Sequence, residues 1–150
     1  MAGATDGVGV GTGRALVGAG AHVILAGRNL ELGAQRAAEM GGDTEVVKLD
    51  LADQSSVRAF PGLFDGNVDI LINNAGLVAQ TRTETVDGFE VTLGTNFPGP
   101  CALTNLLFDR VGSQIIIVGS ASHKRPTIAI VYPPLRSRPL PSPPLYARSL

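Results

Sequence analysis

The sequence predicts an α/β fold in which helices cover both faces of a parallel sheet. Two observations support this class. Short runs rich in β-branched residues alternate with helical stretches, and the apolar runs are continuous, as in strands that are buried on both faces. The chain has 150 residues, of which 44% are hydrophobic and 17% charged, which is enough for one domain with its own core.

Four strands are expected. The runs HVILAG (22–27) and EVVKLD (45–50) predict the first two strands. The runs VDILINN (68–74) and QIIIVGS (114–120) are bounded by Gly, Asp and Asn, which predicts two further strands that are buried on both faces.

Helices are expected between these strands. The segment NLELGAQRAAEM (29–40) has Ala and Leu at helical spacing, a short helix is expected after the capping residue Asp53, and a longer helical stretch follows Asp87. Pro98 and Pro100 lie in this last stretch. Each proline is expected to remove a backbone donor and to cost on the order of 3 kcal/mol in the helix interior.

A glycine-rich turn, Gly3-Ala-Thr-Asp-Gly7-Val-Gly9, opens a helical stretch that runs to Gly20, just before the first predicted strand. Such a turn lets backbone N–H groups approach a pyrophosphate at a helix N-terminus. The motif is weak by itself in a chain with nineteen glycines, but its place at the start of a βα alternation strengthens it. The sequence therefore predicts a Rossmann-like dinucleotide site.

The predicted sheet is incomplete. Only Met1 and Ala2 precede the glycine turn, where about five residues of a central strand are expected. The first strand and the C-terminal strands are therefore predicted to be missing. Residues 1–130 are expected to form a partial dinucleotide-binding domain, and residues 131–150 a proline- and arginine-rich, disordered tail.

The residue after the first predicted strand indicates the cofactor. An acid there binds the ribose 2′-OH of NAD, whereas an arginine suits the 2′-phosphate of NADP. Gly27 and Arg28 occupy this place, so NADP(H) is expected and NAD(H) is the less favoured cofactor. A solvated arginine without a ligand is the alternative, and Asp6 in the glycine turn opposes the binding of an anion.

Composition disfavours several other classes of function. The single cysteine, Cys101, excludes an internal disulfide and favours a reducing cytoplasm, while His22 and His123 lack metal-ligand spacing. No apolar run approaches the roughly 20 residues of a spanning helix.

Six basic residues and no acid follow Asp109, but without interleaved aromatics, which argues against nucleic acid as a partner. A PxxP ligand at 141–144 for aromatic grooves remains open.

Five motifs occur in an order that resembles the short-chain dehydrogenases/reductases, and the stretches AHVILAGRN, DGFEVTLGTN and SASH resemble the retinol-dehydrogenase-like branch. The motifs are the glycine turn, Asp50 after a strand, Asn73-Asn74-Ala75-Gly76, Thr95-Asn96, and the strand end at Gly119-Ser120. The resemblance covers about residues 2 to 125. It implies hydride transfer between a nicotinamide cofactor and a small carbonyl or alcohol.

The resemblance also implies a role for each matching residue. Asp50 would bind the adenine amino group with Leu51 beside the ring, Asn96 would hold a water in a proton relay, and Ser120 would bind the substrate carbonyl. The remaining residues would hold the cofactor: Gly3, Gly7 and Gly9 its pyrophosphate, Arg28 its 2′-phosphate, and Asn73, Ala75 and Gly76 its central part.

The family's acid/base motif is Tyr-x-x-Ser-Lys, and the last residues of the sequence are Tyr146-Ala-Arg-Ser149-Leu150. Tyr146 follows Ser120 by 26 residues, a spacing similar to that of the family. Two explanations stay open: a family tyrosine without its lysine, or a chance match after the sequence departs from the family near Ile130. A phenol titrates near pKa ~10 and needs a neighbouring cation to work at neutral pH. Little or no turnover is therefore expected, and a non-catalytic nucleotide-binding remnant is the alternative.

Overall fold

The computed structural model describes residues 1–120, which contain four parallel strands. These are β1 (Val23–Gly27), β2 (Thr44–Lys48), β3 (Val68–Asn73) and β4 (Val111–Ile117). The first three agree with the predicted strands to within two residues, whereas β4 begins and ends three residues earlier than predicted. The predicted tail, Tyr146 and position 150 lie outside the described residues.

Ala2 joins the two halves of the sheet. β1 pairs with β2 and β3 pairs with β4, while Ala2 forms parallel bridges to Ala26 on one side and to Asn73 on the other. Its N–H donates to the Ile72 carbonyl at 2.9 Å, and its carbonyl accepts the Asn74 N–H at 3.1 Å. The order across the sheet is therefore β2, β1, Ala2, β3, β4. Between β1 and β3, where a central strand is expected from the sequence, the described residues contain the two isolated bridges of Ala2.

Helices cover both faces of the sheet, as predicted. On one face α1 (Gly7–Gly18) and α2 (Leu30–Met40) pack against a small core of Ala4, Val23 and Leu25. On the other face α3 (Gln54–Ala59) and α5 (Pro98–Leu107) cover a larger core. Its buried members are Ala2, Ala26, Val47, Leu49, Leu51, Val57, Phe60, Phe64, Leu71, Leu103 and Leu107.

The helical stretch after Asp87 is divided into α4 (Val91–Asn96) and α5, with Phe97 between them. Pro98 is the first residue of α5 and Pro100 the third. The first-turn N–H groups of a helix have no helical acceptor, so these prolines remove no helical hydrogen bond. The expected cost of about 3 kcal/mol for each proline is therefore wrong, because it applies to a helix interior.

Side chains cap the N-termini of α2 and α3. Asn29 Oδ1 accepts the Leu32 N–H at 3.0 Å. Asp53, the predicted cap of α3, accepts the Ser55 N–H at 2.8 Å and the Ser55 hydroxyl at 2.6 Å. These bonds, the hydroxyl first, lower the pKa of Asp53, because they favour its charged form. The predicted cap is confirmed.

Arg110 fixes the segment that precedes β3. Its guanidinium donates to the carbonyls of Pro61, Phe64 and Gly66, and it lies over the Phe64 ring at 4.4 Å from the centroid. A planar guanidinium with five donors suits such a cluster of carbonyls. The first of the six basic residues after Asp109 therefore has a structural role.

Strand β4 is exposed to an unusual degree for a parallel strand. Ile116, Ile117 and the following Val118 are 39%, 75% and 47% exposed. Within residues 1–120, β4 pairs with β3 alone. The sequence of β4 is as apolar as that of a strand buried on both faces, yet much of its side-chain surface is exposed.

His22 stands between two acids at the start of β1. Its Nδ1 lies 2.8 Å from an Asp43 carboxylate oxygen, and its Nε2 lies 3.5 Å from Glu45. The Asp43 hydrogen bond is the main cause that raises the pKa of His22, and Glu45 adds a smaller contribution. The protonated imidazole thus links β1 to the start of β2.

We predict that Asp43→Asn lowers the pKa of His22. Because the folded-state pKa is raised, the ion pair contributes stability that is fully present below about pH 6.5 and is lost as the pH rises through the folded-state pKa. An NMR titration of the His22 ring protons measures the shift. Glu39→Gln, which removes an exposed acid that does not contact His22, is the control, and an unchanged pKa in Asp43→Asn would contradict the prediction.

Candidate cofactor-binding site

The candidate site lies at the carboxyl edge of the sheet, where the direction of strand order reverses. From Ala2 the chain passes through α1 to β1 on one side, and β2 leads through α3 back to β3 on the other side. In open parallel sheets such a reversal leaves a crevice that binds ligands. The segments that leave this edge carry most of the residues predicted to bind the cofactor.

The glycine turn is held in place by close backbone contacts. A Cβ on Gly3, whose φ is +78°, would lie 2.5 Å from the Ala75 nitrogen, and a Cβ on Gly9 would lie 1.8 Å from the Gly3 carbonyl oxygen. Gly7, whose φ is +52°, faces open space. Gly3 and Gly9 therefore permit the close packing of the turn, and Gly7 leaves the outer side of the turn open to a ligand.

Asp6 caps α1 at the end where a pyrophosphate would bind. Its carboxylate accepts the Gly7 N–H at 2.8 Å. The N–H groups of Val8 and Gly9 lie in the first turn, where no helical acceptor exists. The helix dipole favours an anion at this end, so the turn fits a diphosphate, although Asp6 competes for one donor.

Asn74 binds the glycine turn to the end of β3. Its backbone N–H donates to the Ala2 carbonyl at 3.1 Å, and its side-chain Nδ2 donates to the Gly3 carbonyl at 2.7 Å. The sequence placed Asn74 in a motif without assigning it a function. The two bonds connect residues that are 72 and 71 positions apart, and local sequence patterns do not indicate such contacts.

Arg28 and Lys48 meet at the ends of β1 and β2. Arg28 is exposed, and its side chain has no hydrogen bond or ion pair with any residue in 1–120. Lys48 Nζ donates to the Arg28 carbonyl at 2.6 Å. The guanidinium predicted to bind a 2′-phosphate is thus available, and sequence reasoning missed the lysine beside it.

Asp50 and Leu51 follow β2. Asp50 is half-buried, and its Oδ1 accepts the Ala52 N–H at 2.9 Å. Leu51 is 5% exposed and belongs to the core on the α3 face. A place for Leu51 beside an adenine ring would therefore have to come from its backbone, because its side chain is packed inside.

Asn73 is directed into the protein interior. Its Nδ2 donates to the Thr104 hydroxyl of α5 at 2.9 Å, and the residue is 4% exposed. Its Oδ1 and the Thr95 hydroxyl are buried without a hydrogen-bond partner among the described residues. Ala75 and Gly76 instead lie at the strand end, where Ala75 contacts Gly3.

Asn96 holds the loop that follows β3. Its Oδ1 accepts the Leu77 N–H at 2.9 Å, and its Nδ2 donates to the Leu77 carbonyl at 2.8 Å. The Asn96 side chain, which is predicted to hold a relay water, therefore already uses its oxygen and one N–H in hydrogen bonds to the Leu77 backbone. Ser120 lies three residues beyond β4, and Tyr146 lies outside the described residues.

Other types of site find no support in the part of the chain that the structure describes. No group of three or more His, Cys, Asp or Glu side chains in residues 1–120 could hold a metal ion. In the same residues, no helix has both the length and the apolar character needed to cross a membrane.

Comparison with known proteins identifies the family. A sequence model described as short chain dehydrogenase matches residues 1–132. The chain belongs to the short-chain dehydrogenase family. It is 40% identical to mouse polyprenol dehydrogenase and 38% identical to human retinol dehydrogenase 12, in each case over 82% of this chain. The predicted resemblance to the retinol-dehydrogenase-like branch is confirmed.

Solved structures share the fold of this short-chain dehydrogenase. An uncharacterized protein from Mycobacterium paratuberculosis is 46% identical with a TM-score of 0.77, covering 81% of this chain and 45% of that one. The closed form of serine dehydrogenase complexed with NADP⁺ is 28% identical with a TM-score of 0.70, covering 84% and 55%. The chain spans 42% to 43% of the length of the two curated relatives.

We predict that Gly9→Ala and Gly11→Ala have opposite effects, although both lie in α1. The Gly9 methyl would collide with the Gly3 carbonyl oxygen, which is expected to cost about 1–3 kcal/mol and to weaken nucleotide binding. A methyl on Gly11 has nothing within 4 Å, so Gly11→Ala is expected to stabilise the protein by about 0.5–1 kcal/mol. Urea unfolding of both variants measures the free energies. Equal effects would show that the turn does not pack as described.

Proposed function

We propose that the chain binds NADP(H) in preference to NAD(H), in a domain of residues 1–130, and descends from enzymes that transfer hydride between this cofactor and a small carbonyl or alcohol. The observation that carries the proposal is the guanidinium of Arg28 at the end of β1, which is exposed and has no side-chain hydrogen bond or ion pair within residues 1–120. A carboxylate at that place would favour the 2′-OH of NAD. Its relatives include retinol and polyprenol dehydrogenases, which suggests isoprenoid alcohols as the substrate class.

The cofactor half of the site fits this proposal. The open side of Gly7 and the first-turn N–H groups of α1 would receive the diphosphate, and Arg28 would bind the 2′-phosphate through paired N–H donors. When bound, the nicotinamide would supply or accept the hydride. A structural neighbour complexed with NADP⁺ supports the same cofactor.

The residues that would transfer the proton favour little or no turnover. In the proposed reaction Ser120 would donate a hydrogen bond to the carbonyl oxygen, Tyr146 would protonate it, and Asn96 would hold a relay water. Position 150, where the family has the lysine that favours the tyrosine phenolate, is Leu150, which carries no charge. The Asn96 amide is already engaged with the Leu77 backbone.

A second candidate function follows from these same residues. The chain would bind the nucleotide without catalysis, as a remnant of the family fold. Leu150 and the engaged Asn96 amide favour this alternative, because they affect proton transfer, whereas the glycine turn and Arg28 do not depend on them. A reducing, cytoplasmic setting is part of the proposal, since Cys101 is exposed and unpaired.

We predict that the protein binds NADPH more tightly than NADH and that Arg28→Ala removes the difference. A lost charge-assisted bond to a phosphate is worth about 1.5–3 kcal/mol, which corresponds to roughly 10- to 150-fold in affinity. Isothermal titration with both cofactors measures it, and Arg14→Ala in α1 serves as the control for loss of one exposed arginine. Equal affinities of the wild type for both cofactors would overturn the proposed preference.

We predict that the wild type shows little or no NADPH oxidation with a panel of aldehydes and ketones that includes retinal. Leu150→Lys alone is not expected to restore activity, because a catalytic lysine must be held within about 0.5 Å by surrounding structure. A chimera that supplies a full first strand and the C-terminal half of a relative is expected to be active.

The control for this experiment is Tyr146→Phe, which removes the proposed acid. Turnover by the wild type that Tyr146→Phe abolishes would contradict the prediction, since the tyrosine would then act without the family lysine. Unchanged absence of turnover together with NADPH binding would support the non-catalytic alternative.

A further inference from the structure

Lys48, at the end of β2, lies next to Arg28. Lys48 pairs with Gly27 in the last register position of the β1–β2 ladder, so its backbone lies beside the residue that precedes Arg28. Its Nζ reaches the Arg28 carbonyl at 2.6 Å. The ammonium is therefore fixed at the carboxyl edge of the sheet, next to the residue proposed to read the 2′-phosphate.

The face of the sheet on which Lys48 lies is also the face of the glycine turn. Val46, two residues earlier in β2, packs with Val23 and Leu25 on the side covered by α1 and α2. Side chains alternate along a strand, so Lys48 is on this same side. The turn from Gly3 to Gly9 leads directly into α1, so the turn and Lys48 both lie on the side of the sheet that α1 covers.

The charges at this corner are not neutralised by the protein. No carboxylate in residues 1–120 forms an ion pair with Arg28 or Lys48. Lys48 Nζ uses one of its three N–H donors on the Arg28 carbonyl, and two remain. A phosphate monoester carries a charge of about −1.5 to −2 at pH 7, which exceeds what one guanidinium neutralises.

We propose that Lys48 is a second specificity-determining residue, which binds the 2′-phosphate together with Arg28 and holds the Arg28 backbone in place. The inference rests on the proposed preference for NADP(H). It differs from a purely structural role, in which Lys48 would only fix the turn after β1 and would affect all adenine nucleotides equally.

Binding of two small probes separates these roles. Adenosine 2′,5′-bisphosphate carries the 2′-phosphate, and ADP has the 5′-diphosphate alone. Isothermal titration of both probes is carried out with the wild type, Lys48→Met, Lys48→Arg and the control Arg58→Met, which removes an exposed cation from α3. In Lys48→Met we expect about a tenfold loss of affinity for the bisphosphate, with ADP affinity unchanged to within about twofold. Lys48→Arg is expected to restore most of the loss.

A chemical measurement gives an independent readout. Lys48 is the only lysine in residues 1–120, and Lys124 is the only other one in the chain. Acylation of Lys48, followed by mass spectrometry, is expected to be slowed by the bisphosphate and not by ADP. Protection by both probes to the same extent would overturn the proposal.

The outcomes distinguish this inference from the proposed function. A wild type that binds both probes equally would overturn both. A wild type that prefers the bisphosphate, with an unchanged preference in Lys48→Met, would overturn the role of Lys48 and leave that of Arg28. Equal losses for both probes in Lys48→Met would show that the lysine is structural.

Discussion

The backbone hydrogen bonds of Ala2 are the contacts on which the rest of the sheet depends. β1–β2 and β3–β4 are separate parallel pairs, and Ala2 forms a bridge with each of them, with the hydrogen bonds to β1 made by its neighbours Met1 and Gly3. Its N–H and carbonyl bind the β3 side, and Ala26 on β1 donates to the carbonyl of Met1 at 2.9 Å. Ala2 is also 2% exposed and lies in the larger core. Ala2 thus aligns the two strand pairs with each other and is buried in the core below them. The glycine turn starts directly after it.

The two halves of the candidate site are built in different ways. The cofactor half depends on backbone atoms in close contact: Gly3 against Ala75, Gly9 against the Gly3 carbonyl, and Asn74 bonded to both Ala2 and Gly3. These contacts require small residues and short distances, and the described residues provide them. The proton-transfer half depends on side chains from distant parts of the chain. Asn96 is its only member inside a described helix, and the Asn96 amide is hydrogen-bonded to the backbone of Leu77. The site is therefore better suited to hold a nucleotide than to transfer a proton.

Much of the fold could be predicted because its information is local. Continuous apolar runs gave the strands to within three residues, and Asp53 was recognised as a cap from its place before a short helix. The division at Phe97 was missed, since a proline at the first position of a new helix has the same one-letter pattern as a proline inside a long one. Asn74 and Lys48 were missed for another reason. Their partners, Gly3 and Arg28, are 71 and 20 positions away, and only the assembled sheet brings them together.

The open side of β4 bears on how the protein behaves at high concentration. Within residues 1–120, one edge of β4 pairs with no strand, and apolar side chains such as Ile117 are exposed. An exposed apolar edge of this kind is a template for a strand from another molecule. Globular proteins commonly protect such edges with lysine, proline or a bulge, and the run from Val111 to Ile117 contains no charged residue and no proline. Within residues 1–120, this edge therefore lacks the protection that a lysine or a proline would give. Ile117→Lys is the smallest change that would place a charge on β4 and oppose its pairing with a strand from another molecule.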